Sequence, residues 1–207
     1  MSSSKKGGMF ILSSPSGAGK TTLVKKISRN KNFSVSISHT TRPPRPNEKH
    51  GKDYYFISKN NFKKLIKKDE FLEHAKVFDN YYGSSKKIVK KELKSGKNII
   101  FDIDWQGTRQ IRNKKLSYKL LTIFILPPSK KELMKRLIKR ENKNIKTVKK
   151  RMKEFKKDLM KWQEYDYVVI NDDLNLCYKK IMYIIKSEKY FSFDKDYIKN
   201  HVKKLTN

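Results

Sequence analysis

Apolar positions along this 207-residue chain keep two rhythms. Short runs at 9–12, 98–103, 120–126 and 167–170 have the length of strands buried on both faces. Between them, apolar residues return every three or four positions: through LVKKI after residue 22, over 88–93, 129–141, 145–162 and 174–189. That spacing predicts amphipathic helices. Strands alternating with helices predict a parallel α/β sheet. The stretch 33–85 has another texture. Residues 33–38 alternate with period two, 53–57 and 71–78 are β-rich, and FKKLIKK reads as a short helix. NYYGSS, with one glycine and two serines, reads as a turn.

Punctuation agrees with these elements. Ser95-Gly96 closes a helix, Pro127-Pro128 closes a strand, and Ser129 with Glu132 forms a capping box. TRPPRPNEKHGK (41–52), rich in proline and charge, is a loop. The segment 191–207 is left as a further helix or a frayed end.

Composition narrows the class. With 36% hydrophobic and 12% aromatic residues the chain can pack a core, and a single domain of this length buries roughly 70% of its unfolded surface. Its longest apolar run, 120–126, is far short of the roughly 20 residues of a membrane span. The first twelve residues carry no secretory apolar region, and the lone Cys177 excludes an internal disulfide. A cytoplasmic protein is expected. The net charge of +31 comes from 51 Lys+Arg against 20 Asp+Glu. Its lysines are scattered without an aromatic-interleaved stripe, so a solvated surface is preferred over a dedicated nucleic-acid face. Arginine is scarce at eight residues, yet Arg42, Arg45, Arg136, Arg140 and Arg151 fall in two clusters. A guanidinium fork binds phosphate oxygens bidentately, so these clusters point to planar anion recognition.

The chemistry-bearing motif is Ser14, Pro15, Ser16, Gly17, Ala18, Gly19, Lys20, Thr21, followed by Thr22. It meets the pattern G-x-x-x-x-G-K-[ST] except for Ser14 at the first glycine. Placed between a strand and a helix, such a loop turns its N–H groups on phosphate oxygens. Lys20 would reach the β- and γ-phosphates, and the Thr21 hydroxyl would ligate Mg²⁺. Asp102 and Asp104 close the run IIFDID, two apart on one strand face, as does the acidic residue after a Walker-B strand. Asp102 is the candidate near the metal, directly or through water. Arg136 and Arg140, four apart, share one helix face.

SSPSGAGKTT, SHTTRPPRPNEKHGKDYYF, EFLEHAKVFDNYYGSS, IIFDIDWQG, LPPSKKELMKRLIKR and VINDDL together resemble the guanylate kinase family over 9–189. The resemblance implies a P-loop NTPase core, a β-rich GMP-binding flap and a helical lid. The core would span about 9–41, 97–135 and 163–189, the flap about 42–96 and the lid about 136–162, leaving a tail at 190–207. It implies transfer of the γ-phosphoryl of Mg-ATP to GMP, with dGMP also accepted, for purine metabolism and GMP recycling. By the same resemblance Arg42, Arg45, Tyr54 and Tyr82 bind the GMP phosphate, while Glu73, Ser38, Ser84 and Asp104 contact the base. Guanine presents two adjacent donors that a carboxylate accepts and adenine does not. Arg136, Arg140 and Arg151 would reach the ATP phosphates and the moving phosphoryl group, with Asn171 near the adenosine. The implied partners are nucleotides, with no membrane and no specific nucleic acid, and the chain acts as a monomer or homodimer. Three rivals stand beside this reading: a kinase of another phosphorylated small molecule, a catalytically silent guanylate-kinase-like scaffold, and a basic nucleic-acid-binding protein.

Overall fold

A computed structural model describes residues 7–141, 144–187 and 194–206. The first half holds β1 (Met9–Ser13), α1 (Lys20–Ile27), β2 (Phe33–Val35), β3 (His39–Thr40), β4 (Tyr55–Phe56), α2 (Lys59–Lys67), β5 (Phe71–Val77) and β6 (Asn80–Ser85). Then follow α3 (Lys86–Lys94), β7 (Asn98–Asp102), α4 (Trp105–Asn113), β8 (Leu120–Leu126), α5 (Lys130–Arg140) and α6 (Ile145–Leu159). A 3₁₀ turn (Met160–Glu164), β9 (Tyr167–Ile170), α7 (Leu174–Lys186) and α8 (Lys195–Thr206) complete the described chain. One sheet runs in the order β2-β7-β1-β8-β9, with β2–β7 and β8–β9 parallel. This is the helix-flanked parallel sheet of a P-loop core, as the alternating pattern predicts.

Residues form two compact units, one from the chain up to Ile11 with Asn30–Leu120, the other from Leu12–Arg29 with Leu121 onward. In the first, Met9, Ile11, Leu72, Val89, Leu93, Ile99, Phe101, Ile103 and Ile111 make a common core. A second sheet, β4-β3-β6-β5, stands in this unit. Its strand β6 corrects the reading of NYYGSS as a turn. Those residues pair with β5 from Val77↔Asn80 to Phe71↔Ser85, and with β3 at His39↔Gly83. Gly83 is there for space: a Cβ on it would sit 3.0 Å from the Phe71 ring and 3.1 Å from the Phe62 ring. The chain turns instead at Phe78, which holds φ 55. The period-two segment 33–38 is also shorter than predicted, since β2 ends at Val35. Helix α4 was not predicted, and Asp104 starts it by accepting from the N–H groups of Gln106 and Gly107.

In the second unit Phe124, Leu126, Leu133, Leu137, Val148, Phe155, Leu159, Trp162 and Val168 pack together. The basic helix predicted over 145–162 is α-helical to Leu159 and 3₁₀ beyond. Of the predicted tail, 190–193 and 207 lie outside the described residues, as do 188–189 of the helix before it. The rest is α8, whose Ile198, Val202 and Leu205 enter this same cluster. His201 Nε2 also donates to the Pro127 carbonyl at 2.9 Å. Leu205 is 1% exposed. Leu205→Ala is therefore expected to cost about 2–5 kcal/mol, read from equilibrium denaturant unfolding.

Candidate functional site

The last residues of β1, in the second unit, lead into a loop that turns at Gly17 (φ 92) and Gly19 (φ 98). Only these two loop positions need left-handed backbone. Ser14 has no positive φ, so its departure from the glycine pattern strains nothing in the main chain. Gly19 caps α1 without any side-chain hydrogen bond. A glycine cap has no side chain of its own to compete with an anion for the first-turn N–H groups of α1. Space is a second demand on Gly19, because a Cβ there would lie 2.2 Å from Asn171 Nδ2. Asn171, 3% exposed, donates to the Ala18 carbonyl at 2.7 Å, so it braces the loop itself.

Arg136, Arg140 and Arg151 meet this loop to different degrees. Arg151 Nη1 donates to Ser16 Oγ at 2.8 Å, while its Nε lies 3.1 Å from Glu141 Oε1. Arg136 Nε donates to Glu132 Oε1 at 2.9 Å and borders a cavity of about 230 Å³ with Gly19, Thr22, Asn171 and Leu174. Arg140 instead sits 3.6 Å from Glu141 Oε1 and is part-exposed. Of the counter-charges, Glu132 reads from sequence only as the capping partner of Ser129. Glu141 reads only as an acidic residue inside a strongly basic stretch.

A second constellation forms within the first unit. Glu73 and Ser84 are cross-strand partners on β5 and β6, both almost wholly buried. Ser84 Oγ donates to Glu73 Oε1 at 2.7 Å. Gly107 of α4 comes so close that a Cβ on it would lie 2.3 Å from Glu73 Oε2. Gln110 ties α4 to the same strand, with its Oε1 accepting from His74 N at 3.1 Å and its Nε2 donating to His74 O at 2.7 Å. Ser38 is buried beside β3. Arg42 and Arg45 converge on Glu48, and Tyr54 and Tyr82 stack edge to face at 6.1 Å beside Arg42. Burial alone would lower the Arg42 pKa, but hydrogen bonds to Glu48 and Tyr82 raise it above the ordinary value.

The acidic pair is rearranged. Strand β7 ends at Asp102, and Asp104 lies beyond it as the N-cap of α4, so the two do not share a strand face. The one-face argument ignored the turn that a cap imposes. Gln106 Nε2 also donates to Asp104 at 2.9 Å. Gly107, Gln110 and Glu48 went unnoticed in sequence because their roles depend on partners outside local spacing.

No cluster of three or more His, Cys, Asp or Glu among the described residues could hold a metal ion. The Thr21 hydroxyl, in the second unit, and the Asp102 carboxylate, in the first, are each an oxygen donor of the kind Mg²⁺ takes. Cys177 is buried, and burial pushes its thiol up to about 12, which leaves it inert. Among the described residues no helix is long and apolar enough to cross a membrane.

The family model for guanylate kinase matches residues 6–188. A guanylate kinase of Ruegeria pomeroyi is 43% identical over 202 residues, spanning 97% of this chain and 95% of its own. One from Buchnera aphidicola subsp. Baizongia pistaciae is 49% identical over 184 residues, spanning 87% and 88%. Among solved structures, guanylate kinase from Anaplasma phagocytophilum superposes with a TM-score of 0.73 at 32% identity, covering 91% of this chain and 89% of that one. Helix α8 lies beyond the matched segment.

Proposed function

Because the chain belongs to the guanylate kinase family, we propose that each compact unit carries the residues for one of its two nucleotides. The enzyme transfers the γ-phosphoryl group of ATP to GMP, giving ADP and GDP. The donor is assigned to residues 14–22 with Arg136, Arg140, Arg151 and Asn171. The acceptor is assigned to Ser38, Arg42, Arg45, Tyr54, Glu73, Tyr82, Ser84 and Asp104. The observation that carries the assignment is the buried Glu73–Ser84 pair. A carboxylate can accept at both oxygens, so beside the Ser84 hydroxyl it can also take the adjacent N1–H and N2–H₂ of guanine.

On this assignment no strong general base is required, since a phosphomonoester oxygen is already an anion. The chain's work is positioning and charge stabilisation. Loop amides and Lys20 hold the β- and γ-phosphates, and the lid arginines offset charge on the transferring group. Arg42 and Arg45 hold the acceptor phosphate while Tyr54 and Tyr82 border them. Thr21 and, directly or through water, Asp102 would hold Mg²⁺, which neutralises phosphate charge when bound. dGMP is included as an acceptor, and the proposed setting is purine nucleotide metabolism and GMP recycling in the cytoplasm. In domain terms, 42–96 serve as the GMP flap and 136–162 as the lid on a core formed by the rest of 9–189.

A coupled ADP-release assay with Mg-ATP and each of GMP, dGMP, IMP, AMP, CMP and UMP tests the reading. Turnover with GMP and dGMP far above the others is expected. ADP release indifferent to the monophosphate would remove it. Salt-sensitive DNA or RNA binding untouched by ATP and GMP would favour the nucleic-acid rival. Gly107 supplies a finer test. Gly107→Ala forces its new methyl against the Glu73 carboxylate, so the KM for GMP should rise about 10-fold. The helix should not loosen, because alanine is the better helix former. Steady-state kinetics beside a thermal melt separate the two effects.

A further inference from the structure

The arginines assigned to the acceptor phosphate already share an internal anion. Both carboxylate oxygens of Glu48 accept from Arg42 Nη2, at 2.9 and 2.8 Å. Oε2 also accepts from the Arg45 backbone N–H at 2.8 Å, and Arg45 Nη1 lies 3.5 Å from Oε1. The side chains of Arg42 and Glu48 are only 12% and 17% exposed. The loop is bent to make this possible. Asn47 takes φ 70, and the Glu48 N–H returns to the Arg45 carbonyl at 3.1 Å. Arg42 is held from other directions too: its Nη1 donates to the Pro43 carbonyl at 2.6 Å and its guanidinium lies 5.4 Å from the Tyr54 ring centre. Burial would push the Glu48 carboxyl up, but the Arg45 amide and the Arg42 guanidinium keep it below its ordinary value, so it stays ionised.

We propose that Glu48 is a positioning residue for phosphoryl-acceptor recognition: its carboxylate holds Arg42 and Arg45 converged, ready for the phosphate of GMP, without being a ligand of the nucleotide. The inference rests on the reading of Arg42 and Arg45 as the acceptor-phosphate site. Two guanidinium groups repel each other, and each carries a long, flexible stem. Unheld, they would spread over many rotamers and would have to be ordered anew at each binding event. One carboxylate shared by both removes that repulsion and still leaves a net single positive charge among the three groups. A guanidinium has five N–H donors, so phosphate oxygens can join beside the carboxylate.

The test compares wild-type protein with Glu48→Gln, the full chain in each case. Equilibrium titrations with GMP and with guanosine are run side by side, and kinetics supply the KM for ATP. Guanosine has the base and lacks the phosphate, so it reports on everything in the acceptor site except the arginines. The expected result is a GMP Kd raised about 10-fold, guanosine binding unchanged and KM for ATP within about twofold. Unchanged or tighter GMP binding would overturn the proposal, since Glu48 would then be a bystander or a competing anion. Equal losses for GMP and guanosine would also overturn it, by making Glu48 a support of the loop's fold alone. The underlying site reading is scored separately on the wild type: failure of that protein to bind and phosphorylate GMP removes the reading itself.

Discussion

Lys20→Ala should lower kcat at least about 10²-fold while the thermal unfolding midpoint stays where it is. The turn of the loop is set by other residues. Gly17 and Gly19 set the turn, Asn171 holds the Ala18 carbonyl, and Leu23 N bonds back to the Gly19 carbonyl at 3.2 Å. Lys20 is the first residue of α1, whose buried face is carried by Leu23, Val24 and Ile27. Truncating it therefore removes a cation and leaves core packing alone. On the proposed donor assignment its ammonium would neutralise charge on the β- and γ-phosphates, which grows on the leaving oxygen as the bond to the γ-phosphorus breaks. An interaction that strengthens toward the transition state shows in kcat as well as kcat/KM. Coupled-assay kinetics at saturating GMP check this. A variant with near wild-type turnover would mean the loop grips the donor by backbone amides alone.

The loop at 14–22 was legible in the sequence because its fold is local. The residues that turn the chain and open the helix lie within nine positions, and only Ser14 broke the pattern. The sheet strands were legible for the same reason, since residues 98–102 and 120–126 each declare themselves by a short apolar run. What escaped was set at long range. Gly83 looks like a turn glycine until the rings of Phe62 and Phe71 are seen pressed over it. Gly107 looks like a weakness in a helix until the Glu73 carboxylate appears beside it, which also explains why α4 was not predicted. Asp104 alternates with Asp102 along an imagined strand, but capping two N–H groups of α4 outweighs continuing the strand. Glu48 sits in a stretch that sequence marks only as a charged loop. Its meaning depends on Asn47 turning the chain so that the carboxylate meets both arginines.

Glu73→Gln should raise the KM for GMP about 10–10²-fold and narrow the preference for GMP over IMP and AMP. The argument runs through Ser84. Its hydroxyl donates to one carboxylate oxygen, so a glutamine in the same position settles with its carbonyl on that hydroxyl. The amide nitrogen then lies on the other side, where Oε2 now stands beside Gly107. A donor replaces an acceptor there. Guanine offers two donors to that edge, and donor against donor leaves polar groups buried and unsatisfied at a site only 3% exposed. Adenine, whose N1 is an acceptor, gains a partner from the same change. IMP lacks the N2 amino group, so it loses less than GMP, and the GMP/IMP ratio isolates that one hydrogen bond. The phosphate contacts proposed for Arg42 and Arg45 would be untouched, so KM should move more than kcat. Kinetics with the three monophosphates read all of these together. Unchanged selectivity would place base recognition on Ser38 and Asp104 instead, with Glu73 left as a buried brace between β5 and β6.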